Sequence, residues 1–275
     1  MPQEAAYSIL LNLFFELVES QAGKGFRLGQ EWLNDAKILA KKLYQHLVSM
    51  EIIAKGATVE RDGITKTFFV DHASVKVVVR AAFETYLVFF HLYGNTDHLV
   101  SEFRHKMWRI GGLADRQKVH ASSKRWREVK RSEKKQLEKL REEIKSSLHF
   151  RTYTERQRKK ILEGNWRIGN SWADLGISAG FHEKYFKNIY GYLCGYSHSS
   201  YISIMQVGQA ESIEDQRMLT KAFLGVGVVL MAHFAFSYSN IFRASKTVLH
   251  ANPLATRVAK KWKFGQEDMA EIYDR

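Results

Sequence analysis

From Val75 to Leu92 the chain reads Val-Lys-Val-Val-Val-Arg-Ala-Ala-Phe-Glu-Thr-Tyr-Leu-Val-Phe-Phe-His-Leu, a helical text that is apolar almost all the way round. At about 100° per residue, Lys76, Arg80, Glu84 and His91 fall within one arc of about 80°. A helix this apolar belongs in a core, and ionised groups are costly to bury unless they are paired. The stripe must therefore face water or meet polar groups from elsewhere in the chain. The segment best equipped to meet it is Tyr192-Leu193-Cys194-Gly195-Tyr196-Ser197-His198-Ser199-Ser200.

The other long patterns also repeat at helical spacing, and the 275 residues contain only two prolines, Pro2 and Pro253. Both facts point to an all-α chain. One domain covering residues 1–275 is expected. Ala5 to Glu19 and Gln30 to Met50 read as amphipathic helices. Ala57–Glu60 and Ile64–Val70, joined around Asp62-Gly63, carry the alternation and turn of a small β-hairpin. Asp71 or Ser74 can cap the striped helix. Asp97 to Ile110 reads as a helix stopped by Gly111-Gly112, and Thr152 to Glu163 as one stopped by Gly164. Asn170 to Gly176 and Phe181 to Ser197 follow. A last long helix is expected from Ile213 to His250, with a polar tail after Pro253. Its segment Ala222–Phe242 has no Lys, Arg, Asp or Glu over 21 residues, long enough to cross a bilayer. Because it carries His233, Ser237, Ser239 and Asn240 and continues into polar helix, it is expected as the buried centre of a bundle, with no membrane partner.

Net charge is +13, and the excess is concentrated: Arg116 to Lys160 holds 17 Lys/Arg against six Asp/Glu. Residues 116–160 thus form a basic helical excursion, centred on a helix from Ser123 to Leu148 with a thin apolar seam of Val129, Leu137, Leu140, Ile144 and Leu148. Such a stretch is either a solvated arm or an electrostatic footprint for RNA or another polyanion. Lys124, Arg125, Arg127, Lys130, Arg131, Lys134 and Lys135 are its candidate nucleic-acid contacts. The single cysteine, Cys194, excludes an internal disulfide and a cysteine-based zinc site. With no basic region in the opening Met1-Pro2-Gln3-Glu4, a reducing cytosol is the expected compartment.

Histidine is the side chain that ordinarily titrates near neutrality, so His198 can serve as general base or acid. Arg80 can hold a phosphate, and Glu84 can orient either of them; these three are the candidate catalytic set. Lys76, Asn188, Tyr192, Tyr196, Ser197 and Ser199 are the candidate supporting pocket. Lys184, Asn188, Gly191, Gly195 and His198 share one face of their helix, where the two glycines permit close approach of another helix or a ligand. The structural alternative is simple: Arg80 and Glu84 are an i,i+4 pair, the serines are caps, and Cys194 is a packed residue. No phosphate-binding loop, dinucleotide fingerprint or His-x-x-x-His pair occurs, and no metal or cofactor is implied.

Asp71-His72-Ala73-Ser74 leading into Arg80-Ala81-Ala82-Phe83-Glu84 resembles the first signature of a bacterial family of uncharacterised proteins. In that family an R-x3-E helix is followed by a tryptophan, here Trp172, and a Y-x-x-L-x-x-Y-S-H-S-like segment, here Tyr190 to Ser199 preceded by Tyr185. The resemblance spans about Leu33 to Tyr201 and is interrupted by the basic stretch. The arrangement is also similar to HEPN-like proteins, all-α bundles that often dimerise and include metal-independent ribonucleases bearing R-x4-6-H. At His198 the pattern departs, because Gly191, Tyr192 and Leu193 stand where the arginine is expected. Arg80 can replace it only through space. A linear match runs from Arg243 to His250 and is the alternative site.

The resemblance implies an RNA-directed HEPN-like protein, a metal-independent endoribonuclease of toxin or phage-defence type that forms a homodimer. The competing expectation is a non-catalytic binding or scaffold module whose Arg/Glu/His network is structural. Both require His198 to lie within about 8 Å of Arg80 or Glu84, roughly twice an ion-pair contact, with Tyr192 or Tyr196 beside them.

Overall fold

The apolar circumference of the striped helix is packed by aromatic side chains from later in the sequence, among them Phe181, Phe186, Phe234 and Tyr238. A computed structural model of the chain describes residues 1–63 and 65–274. Along it run α1 (Gln3–Glu19), α2 (Asn34–Ala54) after a 3-10 turn at Glu31–Leu33, β1 (Ala57–Arg61), β2 (Thr65–Phe69) and the striped helix α3 (His72–Tyr93). Then come α4 (His98–Lys118), α5 (Lys124–Ser146), α6 (Leu148–Arg151), α7 (Glu155–Leu162) and α8 (Trp172–Ser178). The chain ends in α9 (Glu183–Ser197), α10 (Tyr201–Gln209), α11 (Ile213–Ile241), α12 (Arg243–Ala251), α13 (Pro253–Trp262) and α14 (Gln266–Tyr273). The protein is an all-α bundle with one small antiparallel hairpin, in which Ala57 faces Phe69 and Arg61 faces Thr65. Ile64, placed in the second strand by its sequence, lies outside the described residues.

The packing divides into two compact units, residues 1–90 with 176–275, and residues 91–175. The first is organised around α11. Its apolarity is explained by burial: thirteen of its residues are buried, among them Val226 to Ala235 without a break. α1, α2, α12 and α13 pack on it, with Phe14 stacked on Phe234 at 4.0 Å. α3 joins the same core through Phe89, 5.1 Å from Phe234, and reaches α9 through Phe83, 5.2 Å from Phe186. Asp71 caps α3 by accepting from Ser74 N at 2.8 Å.

The inserted unit is wider at both ends than the basic excursion and has its own core. Phe103, Met107, Ile110 and Ala114 of α4 meet Leu137, Leu140 and Ile144 of α5, with Phe150 and Ile161. α4 runs straight through Gly111-Gly112, so these glycines do not stop it. A Cβ at Gly111 would stand 2.8 Å from the Gly164 carbonyl and 2.9 Å from Trp166; the residue is small because backbone passes close by. Leu148, expected in the buried seam of α5, is 75% exposed, and Phe150 fills the core in its place.

Two further expectations change at the C-terminal end. The long helix breaks at Phe242, whose backbone is extended and whose ring is buried 4.7 Å from Tyr238. Beyond it the expected polar tail folds into α13 and α14. Pro253 opens α13 at its first position, where a missing N–H costs nothing and the fixed φ suits a helix.

Candidate functional site

Three of the four stripe residues find partners on α9 and α10, and they do so in two groups that differ in burial. Lys76 is wholly buried. Its Nζ donates to Tyr196 Oη at 2.8 Å and lies 3.0 Å from His72 Nδ1, one turn back. It also stands 4.1 Å from the Tyr196 ring centre and 5.3 Å from that of Phe223, an aromatic cage for a cation. Tyr196 donates to Gln206 Oε1 at 2.6 Å; Tyr192 also bonds Gln206. Among the described residues no carboxylate reaches the ammonium, and burial pulls the Lys76 pKa down to about 8. Burial, with the Lys76 charge beside it, likewise lowers His72. Burial holds the Tyr196 hydroxyl far above its ordinary range.

One turn along α3 the second group is only partly covered. Arg80 Nε donates to Glu84 Oε1 at 3.0 Å, with the two side chains 22% and 29% exposed. Tyr190 Oη donates to the same oxygen at 2.7 Å, and the guanidinium sits 5.7 Å from the Tyr190 ring centre. Arg80 Nη1 reaches His198 Nε2 at 3.4 Å, across 118 positions of sequence. Arginine has no acceptor, so the imidazole must present a lone pair at Nε2. At 3.4 Å that bond is longer than a well-formed one, and His198 itself is exposed.

His198 is held in place by the way α9 ends. It is the C-terminal cap of that helix, donating N–H to Cys194 O at 3.1 Å. Ser199 follows with φ +51°, and Ser200 N reaches back to Gly195 O at 2.9 Å, a Schellman-type closure with serine where glycine is usual. A Cβ at Gly195 would come within 2.7 Å of Ser200 Oγ, so this glycine makes room for the turn. Ser200 then caps α10, accepting from Ser203 N.

The remaining expected residues part from this cluster. His91, though on the stripe's arc, is buried; its ring lies 5.6 Å from Trp166, and Arg104 donates to its carbonyl at 3.0 Å. Burial, with Arg104 adding to it, pulls the His91 pKa down to about 4. Asn188 is exposed, Ser197 Oγ donates to Leu193 O of its own helix, and Ser199 is the turn residue. On the glycine face Gly191 opens onto empty space, while Lys184 pairs with Asp274 at 2.7 Å and donates to Tyr273 O of α14 at 2.8 Å. Contact with the stripe runs instead through tyrosines, of which Tyr190 was not expected in the site, nor were His72, Gln206 and Phe223. The signal for Tyr190 was its place in the tyrosine-rich text of α9; Gln206 had none.

In the basic stretch, Lys124, Arg125, Arg127, Arg131, Lys134 and Lys135 are exposed. Arg127 also donates to Ser122 O at 2.6 Å. Lys130 differs, because its Nζ donates to Gln117 O at 2.9 Å and Val119 O at 2.7 Å; it ties α5 to the end of α4. Arg243 and His250 both lie on α12, but His250 lines a cavity that Arg243 does not reach.

Residues 66–216, over half of the chain, match DUF5677, a family of unknown function, and the chain belongs to it. The matched stretch contains Lys76, Arg80, Glu84, Tyr190 and His198. No curated protein and no solved structure matches the chain.

Proposed function

We propose that the protein is an RNA-directed, HEPN-like endoribonuclease that works without a metal, with Arg80, Glu84 and His198 as its reacting groups. The observation that carries this reading is the approach of Arg80 to His198 at 3.4 Å at an exposed point. A phosphodiester placed there meets a fixed cation and an imidazole lone pair together. His198 takes the proton of a ribose 2′-hydroxyl, the 2′-oxygen attacks the adjacent phosphorus, and the 5′-oxygen leaves with a proton from water. The products are a 2′,3′-cyclic phosphate and a 5′-hydroxyl end. Arg80 stabilises the charge gathering on the phosphoryl oxygens, while Glu84 and Tyr190 fix the guanidinium in place. The six exposed cations of α5 supply backbone affinity that falls with salt. The single cysteine suits a reducing cytosol, and a toxin or phage-defence role fits such an activity. Exposed Tyr201, Ile202 and Ile204, on the helix that follows His198, support a homodimer.

The test is incubation of purified protein with total RNA in EDTA. Cleavage that leaves cyclic phosphate ends and disappears in His198→Ala and Arg80→Ala is the expected result. Intact RNA across a broad substrate panel overturns the reading. The Lys76 group favours a second one, since a buried and saturated network is what a scaffold module would use to fix helix register. On that reading Arg80→Ala and His198→Ala lower the melting temperature and abolish nothing.

A further inference from the structure

α11, α12 and α13 pack against one another around a cavity of about 500 Å³, whose lining lies wholly beyond the family-matched residues. Its lining combines apolar Phe236 and Leu249 with Lys246, His250, Arg257 and Lys260. Lys246 and His250 are four apart on α12, and Arg257 and Lys260 three apart on α13, so each pair shares one helix face. No Asp or Glu lines the cavity. Among the described residues none of these cations is paired with a carboxylate, although exposed lysines elsewhere are, as in Lys221–Glu4 and Lys184–Asp274.

Three positive charges around a concavity, those of exposed Lys246, Arg257 and Lys260, repel one another and focus a field that concentrates anions. Two of the hydroxyls there are already committed, Ser239 to Ala235 O and Thr256 to Leu249 O, each at 2.7 Å. The groups left for a ligand are therefore the cationic heads and the Asn240 amide. Arg257 offers the planar fork that grips a phosphate with two hydrogen bonds. The volume is that of a small-molecule site, and the apolar wall suits an uncharged ring or chain attached to the anionic group.

We infer that α11–α13 form a binding site for a small organic phosphate carrying at least two negative charges, separate from the Arg80–His198 site. The inference does not depend on ribonuclease activity. Calorimetric titration of the full chain with ADP, pyrophosphate and adenosine at about 0.1 M salt, near a 10 Å Debye length, tests it. ADP is expected to bind saturably with one site per chain, at least tenfold tighter than pyrophosphate or adenosine. Arg257→Ala/Lys260→Ala should weaken ADP at least tenfold, while Lys41→Ala/Lys42→Ala, two exposed lysines of α2, binds as the parent does. If the double variant melts early, Lys246→Gln replaces it, with at least a threefold loss expected. No saturation by millimolar ADP, pyrophosphate binding as tightly as ADP, or equal losses in the α2 variant would each overturn the assignment.

Discussion

Lys76 and Arg80 stand one turn apart on the same helix, carry the same charge and meet the same partner helix, yet the chain treats them oppositely. Lys76 is sealed in among two tyrosines, a histidine and a phenylalanine ring. Arg80 has a carboxylate and a tyrosine on one side and an exposed histidine on the other. The first arrangement spends its hydrogen bonds internally and leaves nothing for a ligand. The second leaves part of the guanidinium and one imidazole nitrogen weakly engaged at the surface. Structural and chemical roles therefore separate within about 6 Å of helix axis, and the variants that test this separation are ordered below by expected effect.

Removing the Lys76 side chain should do the most harm. Lys76→Ala leaves a cavity in the core and is expected to destabilise by about 2–4 kcal/mol. Lys76→Met keeps the length without the buried charge and should cost less than about 1.5 kcal/mol. Arg80→Ala, at a partly exposed ion pair, should cost no more than about 1 kcal/mol. Denaturant midpoints with a common slope measure all three. If Arg80→Ala proved as costly as Lys76→Ala, the two ends of the stripe would not differ in role.

Acid tests the buried histidines. His233 Nε2 donates to Phe264 O, 2.9 Å away, and burial pulls its pKa down to about 4. The unfolded chain takes up that proton near the ordinary value of about 6.5, so the unfolded state binds more protons in between. Stability is then fully present above about pH 6.5 and is lost as pH falls toward 4, by on the order of 2–3 kcal/mol. His91, held down to about 4 by its own burial, adds a limb of the same sign, so unfolding at pH 7, 6 and 5 should show a combined limb that His233→Gln reduces by about half. A limb undiminished in His233→Gln would mean that this ring is better solvated than its burial implies.

At alkaline pH the argument returns to Lys76. With its pKa lowered from 10.5 to about 8, the folded state sheds a proton that the unfolded chain keeps. Stability from this group is therefore present above about pH 10.5 and is lost as pH falls through 8, so it rises with pH in that window. The tyrosines work the other way above pH 10, which makes the difference between parent and Lys76→Met the quantity to follow. It should shift in the parent's favour by on the order of 1–2 kcal/mol between pH 8 and 9.5. A flat difference would mean that the ammonium is better solvated than its cage implies.

The same contrast explains how much could be read from the sequence. Period and charge were enough for α3, its stripe and the approach of Arg80 to His198, because an apolar helix with a charged arc has few places to go. They also located the hairpin and the basic helix. What escaped was decided by neighbours distant in sequence. The break at Phe242 has no glycine or proline; it follows from burial of that ring and of Ser245, whose hydroxyl donates to Leu17 O at 3.1 Å. Gly111-Gly112 reads as a stop until Gly164 and Trp166 are seen against it. His91 shares the stripe's arc but stands two turns past Glu84, where different partners await it. Lys130 looked like any other lysine of a basic run until the two carbonyls at the end of α4 engaged it.

The smallest expected effect lies in the turn that presents His198. Ser199 holds φ +51°, a conformation that costs a non-glycine residue about 1 kcal/mol, and its side chain takes no part in the Arg80 group. Ser199→Gly removes that cost at the position where this helix ending favours glycine, although glycine also enlarges the freedom of the unfolded chain. The net expectation is a gain of about 0.5 kcal/mol, or on the order of 1–2 °C in melting temperature for a unit of this size. His198 should keep its place, because the bond from Ser200 N to Gly195 O that closes the turn is untouched. RNA cleavage, where present in the parent, should therefore persist in Ser199→Gly, whereas Ser199→Val, β-branched at a positive φ, should lower both stability and cleavage. If Ser199→Gly abolished cleavage at unchanged or higher stability, the serine hydroxyl would belong to the chemistry, and the line drawn here between turn and reacting groups would have to move.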